Sequence, residues 1–289
     1  MTFVHRPVLV QEVLEGLALK PGAVVFDATL GLGGHSEKIL EVIGPQGRLI
    51  ALDRDSEAIE IAKGRLSRYG DQVMFFQGSF GELGSILDRA VDAALFDLGV
   101  SSMQLEKADR GFSFGREGPL DMRMDLGQQT TAGEIVNRYP QRDLEDLIRG
   151  YGEERYAGRI ARAIVQGRPF ATTTQLAEAI RAVVPGRGKQ EKIDPATRTF
   201  QAIRIAVNEE QQQLQDGLER VVGKLKPSGR VAVLSYHSLE DRRVKVFFRE
   251  QARAGVLRLI TRKPVRPSER EVSENPRSRS ASLRVAEKA

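Results

Sequence analysis

The sequence predicts an α/β protein built on a doubly wound, mostly parallel sheet, and three observations carry that prediction. Short apolar, β-branched runs alternate with segments of helical period, the pattern of a parallel sheet with right-handed crossovers. The stretch Val24 to Ser36 ends an apolar run at Asp27, follows it with Gly31, Gly33 and Gly34, and opens a helical pattern at Glu37. That is a buried strand, a tight turn and a helix start, where unpaired N–H groups face a ligand and glycine lets the backbone approach it. The third observation is that Asp27, Asp53 and Asp97 each close an apolar run. Ligands of open α/β sheets bind beyond the carboxyl ends of the strands, and an acid about 20 residues after the glycines is placed to take ribose hydroxyls.

In order, residues 8–18 have helical periodicity and form a lead-in helix, stopped by Lys20-Pro21-Gly22. Strand one spans 24–29, a helix 35–43, strand two 48–53 and a helix 55–69. Val73 to Gln77 is a third strand, a short helix starts at Glu82, and Ala93 to Asp97 is a fourth strand. The rhythm then breaks. Irregular chain rich in glycine leads into helical periods from Thr131 to Val184, with N-caps at Thr130/Thr131 and Thr173/Thr174. No strand pattern occurs there, so an all-helical domain is inserted into the sheet domain, which gives 1–105 as the first core segment, 106–196 as the insert and 197–289 as the second core segment. Gly186 to Lys192 reads as a polar linker. A long helix runs from Thr197 to about Lys224, Arg230 to His237 is the fifth strand, and Ser238 caps a further helix with Asp241 three residues on. Leu257–Arg262 and Ser282–Ala286 complete the strands, with Arg262–Ser280 an extended or mobile loop.

Composition narrows the class. Hydrophobic content of 40% and charged content of 29% are those of a globular protein, and no apolar run is long enough to span a membrane. The N-terminus lacks the layout of a signal peptide, and the absence of cysteine excludes disulfides and thiolate metal sites, which fits a cytoplasmic setting. Three scattered histidines offer no metal site. The net charge of +5 favours a polyanionic partner, and from Arg249 to Ala289 there are eleven Lys/Arg against five Glu. The glycine turn is not a P-loop, because no Gly-Lys-Ser/Thr follows it, and with Asp27 at the strand end it suits a ligand carrying its own positive charge.

Longer stretches resemble a known family. His5-Arg-Pro-Val-Leu, Asp27–Ser36, Ala51–Asp55, Phe96–Ser102 and Arg110–Phe114 are similar to stretches of the bacterial small-subunit ribosomal RNA cytosine-N4 methyltransferases, the MraW/RsmH family. Gly118–Asp125, Tyr151–Arg155, Arg198–Asn208, Ser235–Arg242 and Asn275–Ser280 continue the match in order along the whole chain. The resemblance implies a class I, Rossmann-like S-adenosylmethionine-dependent methyltransferase fold with a helical insertion and an antiparallel seventh strand, which Ser282–Ala286 would supply. It implies S-adenosyl-L-methionine as cofactor, 16S rRNA or the 30S ribosomal subunit as partner, and cofactor contacts at Gly33, Gly34, His35, Asp53, Phe80, Asp97 and Gln104. The stretch around Gly255 is shorter than in some relatives.

The chemistry can be weighed residue by residue. An exocyclic amine is a poor nucleophile, and an acceptor for the N4–H of cytosine helps to localise its lone pair. Asp97 as the catalytic residue, or backbone carbonyls of 98–102, stand where that acceptor is needed; Asp97 equally suits a purely cofactor-binding role. His35 serves either as an imidazole base or as a hydrogen bond that fixes the loop, and His237 either meets substrate or caps a helix. Phe112 and Phe114 either stack a flipped base or fill local core. Arg155, Arg159 and Arg162 are RNA contacts or a solvated helix face. Two other functions fit parts of the pattern. An NAD-dependent oxidoreductase would share the glycine loop and Asp53 but lacks a hydride-transfer acid/base pair. A non-catalytic RNA-binding or assembly factor would not need the intact glycines and all three strand-end acids.

Overall fold

The structure, a computed structural model, describes residues 6–185 and 194–289. His5 and the linker expected at Gly186 to Lys192 lie outside the described residues. The chain divides into two compact units, Met1–Ser101 with Gln211–Ala289, and Ser102–Glu210.

The first unit is a sheet of seven strands: β1 (Val24–Asp27), β2 (Arg48–Asp53), β3 (Val73–Gln77), β4 (Val91–Asp97), β5 (Leu225–Ser235), β6 (Leu257–Leu259) and β7 (Ser282–Lys288). Their order is β3-β2-β1-β4-β5-β7-β6. The first five are parallel, and β7 runs antiparallel to β5 and β6. This is the class I methyltransferase sheet, with the reversed seventh strand where the resemblance put it. Both faces are buried, which is why the strands read as continuous apolar runs. Val25, Leu49 and Leu95 point to one face and pack with helices Val10–Leu17, Gly34–Ile43 and Ser56–Leu66. Their neighbours Phe26, Ile50 and Phe96 point to the other, against helices Glu210–Lys224 and Ser238–Arg253.

The order of strands fixes the site. It reverses at β1, whose neighbours β2 and β4 go off to opposite sides, and that switch point is where the crevice of a doubly wound sheet opens. Asp27 pairs with Ala51 and Leu95, so Asp53 and Asp97 stand two residues further along the flanking strands.

The second unit is helical: Ala132–Arg138, Gln141–Gly152, Ala157–Gly167, Thr173–Val183 and Ala196–Val207 are its longer helices. Among the described residues its only β pairing is an isolated bridge between Pro119 and Thr172. Thr131 caps as expected, accepting the Glu134 N–H, but the cap of Thr173–Val183 is Thr172, in a capping box with Gln175. Phe112 is buried, and Phe114 packs edge-on against Phe200 at 4.8 Å, so both serve local core.

Three expectations change. The long helix from 197 breaks at Asn208, whose amide donates to the carbonyls of Met122 and Arg204 at 2.8 and 2.9 Å and accepts from Met124 N at 2.8 Å. Glu209 takes φ 51, and a separate helix starts at Glu210. Residues 197–210 accordingly lie in the second unit, not in the returning core segment that the sequence reading began at 197. The segment 262–280 is not a plain loop, because it contains the helix Glu269–Glu274 and a 3-10 turn Pro276–Ser280. Glu271 accepts the Leu9 N–H at 2.7 Å and Asn275 donates to the Arg6 carbonyl at 3.1 Å, tying that segment to the chain's start. Among the described residues, no helix is long and apolar enough to cross a membrane.

Candidate active site

The glycine turn is built as its residues require. After β1 the chain stays extended, with Ala28 N–H on the Leu95 carbonyl and Leu30 N–H on the Leu52 carbonyl, both at 2.9 Å. It then turns into the helix Gly34–Ile43 through Gly33 at φ 77, a conformation that L side chains rarely adopt. A Cβ on Gly33 would also meet Ala62 and Leu66 at 3.4 Å. Gly34 opens the helix and is buried.

Asp27 is 1% exposed. It accepts the Ser36 hydroxyl at 2.6 Å and the Thr29 N–H at 3.0 Å. Burial pushes its carboxyl above the usual range, against the pull of those two bonds. Asp53 accepts Gly31 N–H at 2.7 Å on one oxygen and Asp55 N–H at 2.9 Å on the other. One of those bonds reaches across from β2 to the glycine turn, so this carboxylate shapes the loop as well as facing the crevice. Desolvation pushes it up to about 6, again against its two backbone bonds. Among the described residues, neither acid is bonded by lysine or arginine.

Asp97 is held from three directions. Its N–H donates to Thr29 Oγ1 at 2.5 Å, Tyr236 O–H donates to its Oδ1 at 2.7 Å, and His35 Nδ1 lies 3.2 Å from its Oδ2. His35 is buried, and its Nε2 is 2.8 Å from the Val8 carbonyl. Acceptors thus face both ring nitrogens, so the two contacts together favour the doubly protonated imidazole. Burial works against the charge, but the bond to Asp97 and its negative charge outweigh it and raise the imidazole above its ordinary value. His35 therefore ties the segment ahead of helix Val10–Leu17 to the carboxylate at the end of β4.

The structure brings Gly33, Gly34, His35, Asp53 and Asp97 together at one edge of the sheet. Phe80 stands beside them in the turn after β3, partly buried, its ring edge-on to Phe96 at 5.3 Å between centroids. Gln104 is buried in the short helix Ser102–Glu106 of the second unit. His237 takes the capping alternative: its Nδ1 accepts the Glu240 N–H at 3.4 Å, which displaces the expected cap Ser238 to the first helical position. Glu240 returns the contact by accepting the Tyr236 N–H at 2.8 Å. Asp241, expected as the capping partner, instead takes Arg284 through two bonds at 2.7 and 2.9 Å and Ser282 at 3.0 Å, pinning its helix to β7.

Tyr236, which bonds Asp97, is the residue of this edge that the sequence reading did not single out. Burial, then the charge of Asp97, raise its phenol well above the ordinary value, so it stays a donor. The available signal was its place one residue beyond β5, on the strand paired with β4.

A family model described as the MraW methylase family matches residues 2–289. The "Ribosomal RNA small subunit methyltransferase H" of Heliobacterium mobile is 47% identical over 100% of this chain and 100% of its own length. That of Cyanothece sp. (strain PCC 7425) is 50% identical over 99% of this chain and 95% of its own length. Among solved structures, an rRNA methylase from Streptococcus thermophilus superposes with a TM-score of 0.46 at 13% identity, over 99% of each chain.

Proposed function

The chain belongs to the MraW methylase family and is an S-adenosylmethionine-dependent methyltransferase of ribosomal RNA; we propose that it methylates the exocyclic N4 of a cytidine in small-subunit (16S) rRNA. The observation that carries the reading is Asp97, a carboxylate fixed by Tyr236 and His35 at the switch point of the sheet, beside the glycine turn. The residues present fit the cofactor. Asp27 and Asp53 are buried or half-buried acids satisfied by a hydroxyl and backbone N–H groups, a setting that favours a cation over a polyphosphate. Gly33, Gly34, His35 and Phe80 line or support the same edge, and Asp53 is the acceptor for ribose hydroxyls.

When bound, S-adenosylmethionine supplies a methyl group activated on a sulfonium. The protein's share is positioning and electrostatics. Asp97 accepts the N4–H of the cytosine, localises the amine lone pair and takes the proton as N4 gains its methyl. Tyr236 and His35 keep the carboxylate aimed, so it does not reorganise during the reaction. The target base leaves its stack to reach this edge, at a cost of a few kcal/mol that is least for an unpaired base. The substrate particle is the 30S subunit or its rRNA, in the cytoplasm.

Mass-spectrometric nucleoside analysis of 30S subunits incubated with the protein and S-adenosylmethionine tests this. N4-methylcytidine is the expected product, whereas 5-methylcytidine or a ribose methyl would refute the amine chemistry.

A further inference from the structure

Next to Tyr236 the first unit opens a cavity of about 430 Å³, lined among others by Ser238, Arg242, Lys245, Arg266 and Ser280. Three of these side chains are cationic. The acid in its wall, Asp241, is already neutralised by the two-bond contact with Arg284 and by Ser282. Lys245, half-buried, makes no hydrogen bond or ion pair among the described residues. Among the described residues, Arg266 gives only Nη1 to the protein, donating to the carbonyls of Ser280 and Ala281 at 3.3 and 3.2 Å. That anchors the guanidinium while its other N–H groups remain for a ligand. Other cations of the same stretch of chain are paired, Arg270 with Glu274 and Arg258 with Glu287. In this cavity positive charge is concentrated and left in excess, with serine hydroxyls beside it.

We propose that this cavity seats a backbone phosphate of the RNA, next to the nucleotide being methylated. The assignment rests on the proposed function, because Tyr236 is shared: it lines the cavity and its hydroxyl donates to Asp97. A phosphate gripped on one side of Tyr236 orients the nucleotide whose base meets Asp97 on the other. Phosphate contacts fix register and orientation without reading sequence. The cavity thus supplies placement, and the strand-end edge supplies chemistry.

The test uses the full-length protein, S-adenosylmethionine and 30S subunits. Lys245→Glu should raise the KM for 30S about tenfold, and Lys245→Gln should move it the same way by less. For both, the plot of log affinity against log salt should be shallower by roughly one, as one phosphate contact is lost, with cofactor affinity unchanged by calorimetry. Lys20→Glu, a reversal at an exposed residue ahead of β1 on the opposite edge of the sheet, should leave KM alone. If both Lys245 variants match the parent, or Lys20→Glu costs as much, the cavity is not a phosphate seat, while N4-methylcytidine made by the parent keeps the proposed function standing. A parent that neither binds nor methylates 30S overturns both. Inorganic phosphate at constant ionic strength separates the ligand sources: it should weaken 30S binding by the parent more than by Lys245→Glu, whereas phosphate that binds the parent in calorimetry, is lost in Lys245→Glu and leaves 30S affinity unchanged would assign the cavity to the free ion instead.

Discussion

Two regions meet at Tyr236 and carry opposite charge in opposite states. On one side stand Asp27, Asp53 and Asp97, each bonded inside the protein by hydroxyls, backbone N–H groups or an imidazole. On the other stand Lys245, with no partner among the described residues, and Arg266, which spends one nitrogen on the protein. The difference teaches how the two ligands are handled. A small cation entering a buried edge needs acids that are already aimed, since reorganising them would cost rate. A polyanion arriving from solvent needs cations that are not yet satisfied, since its affinity comes from releasing counterions. Fixed acids and free bases are therefore two answers to two ligands.

The sharpest way to break the comparison is Asp97→Asn. It keeps the shape but removes the negative acceptor, so kcat at saturating cofactor should fall by roughly 10²-fold or more, the scale of a lost proton acceptor. A variant that loses only cofactor affinity and turns over normally would make Asp97 a binding residue and shift the acceptor role to the carbonyls of 98–102. Asp53→Ala comes next. It takes away the proposed ribose acceptor and leaves Gly31 N–H without its partner, so cofactor binding should weaken by about 1–3 kcal/mol in calorimetry. An unchanged affinity there would remove Asp53 from the cofactor site. Tyr236→Phe should be milder, lowering kcat about tenfold with cofactor affinity intact, because a hydrogen bond to a charged group is lost and the packing kept. A drop in cofactor affinity alone would show that the phenol serves the ligand and not the carboxylate.

The smallest effect is on stability against pH. Asp53 is raised from 3.8 to about 6, so between those values the folded protein binds more protons than the unfolded chain. Its contribution to stability therefore falls as pH rises through that window. The ligand-free parent minus Asp53→Asn, followed by thermal melting from pH 4 to pH 6, should show this downward trend; an upward one would mean that the backbone bonds outweigh burial. His35 is raised above 6.5 by its contact with Asp97, so its contribution is present below 6.5 and is lost as pH climbs through the raised value.

Much of this was legible in the sequence because it is local. Apolar runs ending in Asp27, Asp53 and Asp97 require only a strand and its last residue, and the glycines sit where a turn at φ 77 needs one. What escaped depends on neighbours distant in sequence. Tyr236 gains its role only because β5 lies beside β4, 139 residues away in the chain. The break at Asn208 comes from its bonds to Met122 and Met124, and nothing in residues 197–224 themselves interrupts the helical period. His237 replaced Ser238 as a cap because an imidazole nitrogen can accept an N–H, a use that residue preferences rank below a hydroxyl. The cations Arg242, Lys245 and Arg266 line one cavity only when helix Ser238–Arg253 and the segment after β6 come together.

The central claim, that opposite charges serve two ligands in two different states, is tested most directly by measuring both affinities of the parent protein against salt. Between 50 and 200 mM salt, 30S affinity should fall by roughly tenfold or more, as counterion release requires. Over the same range the affinity for S-adenosylmethionine should stay within about twofold, because charges in a buried edge are screened far less than exposed ones. Parallel loss of both affinities, or an RNA affinity that ignores salt, would contradict the account.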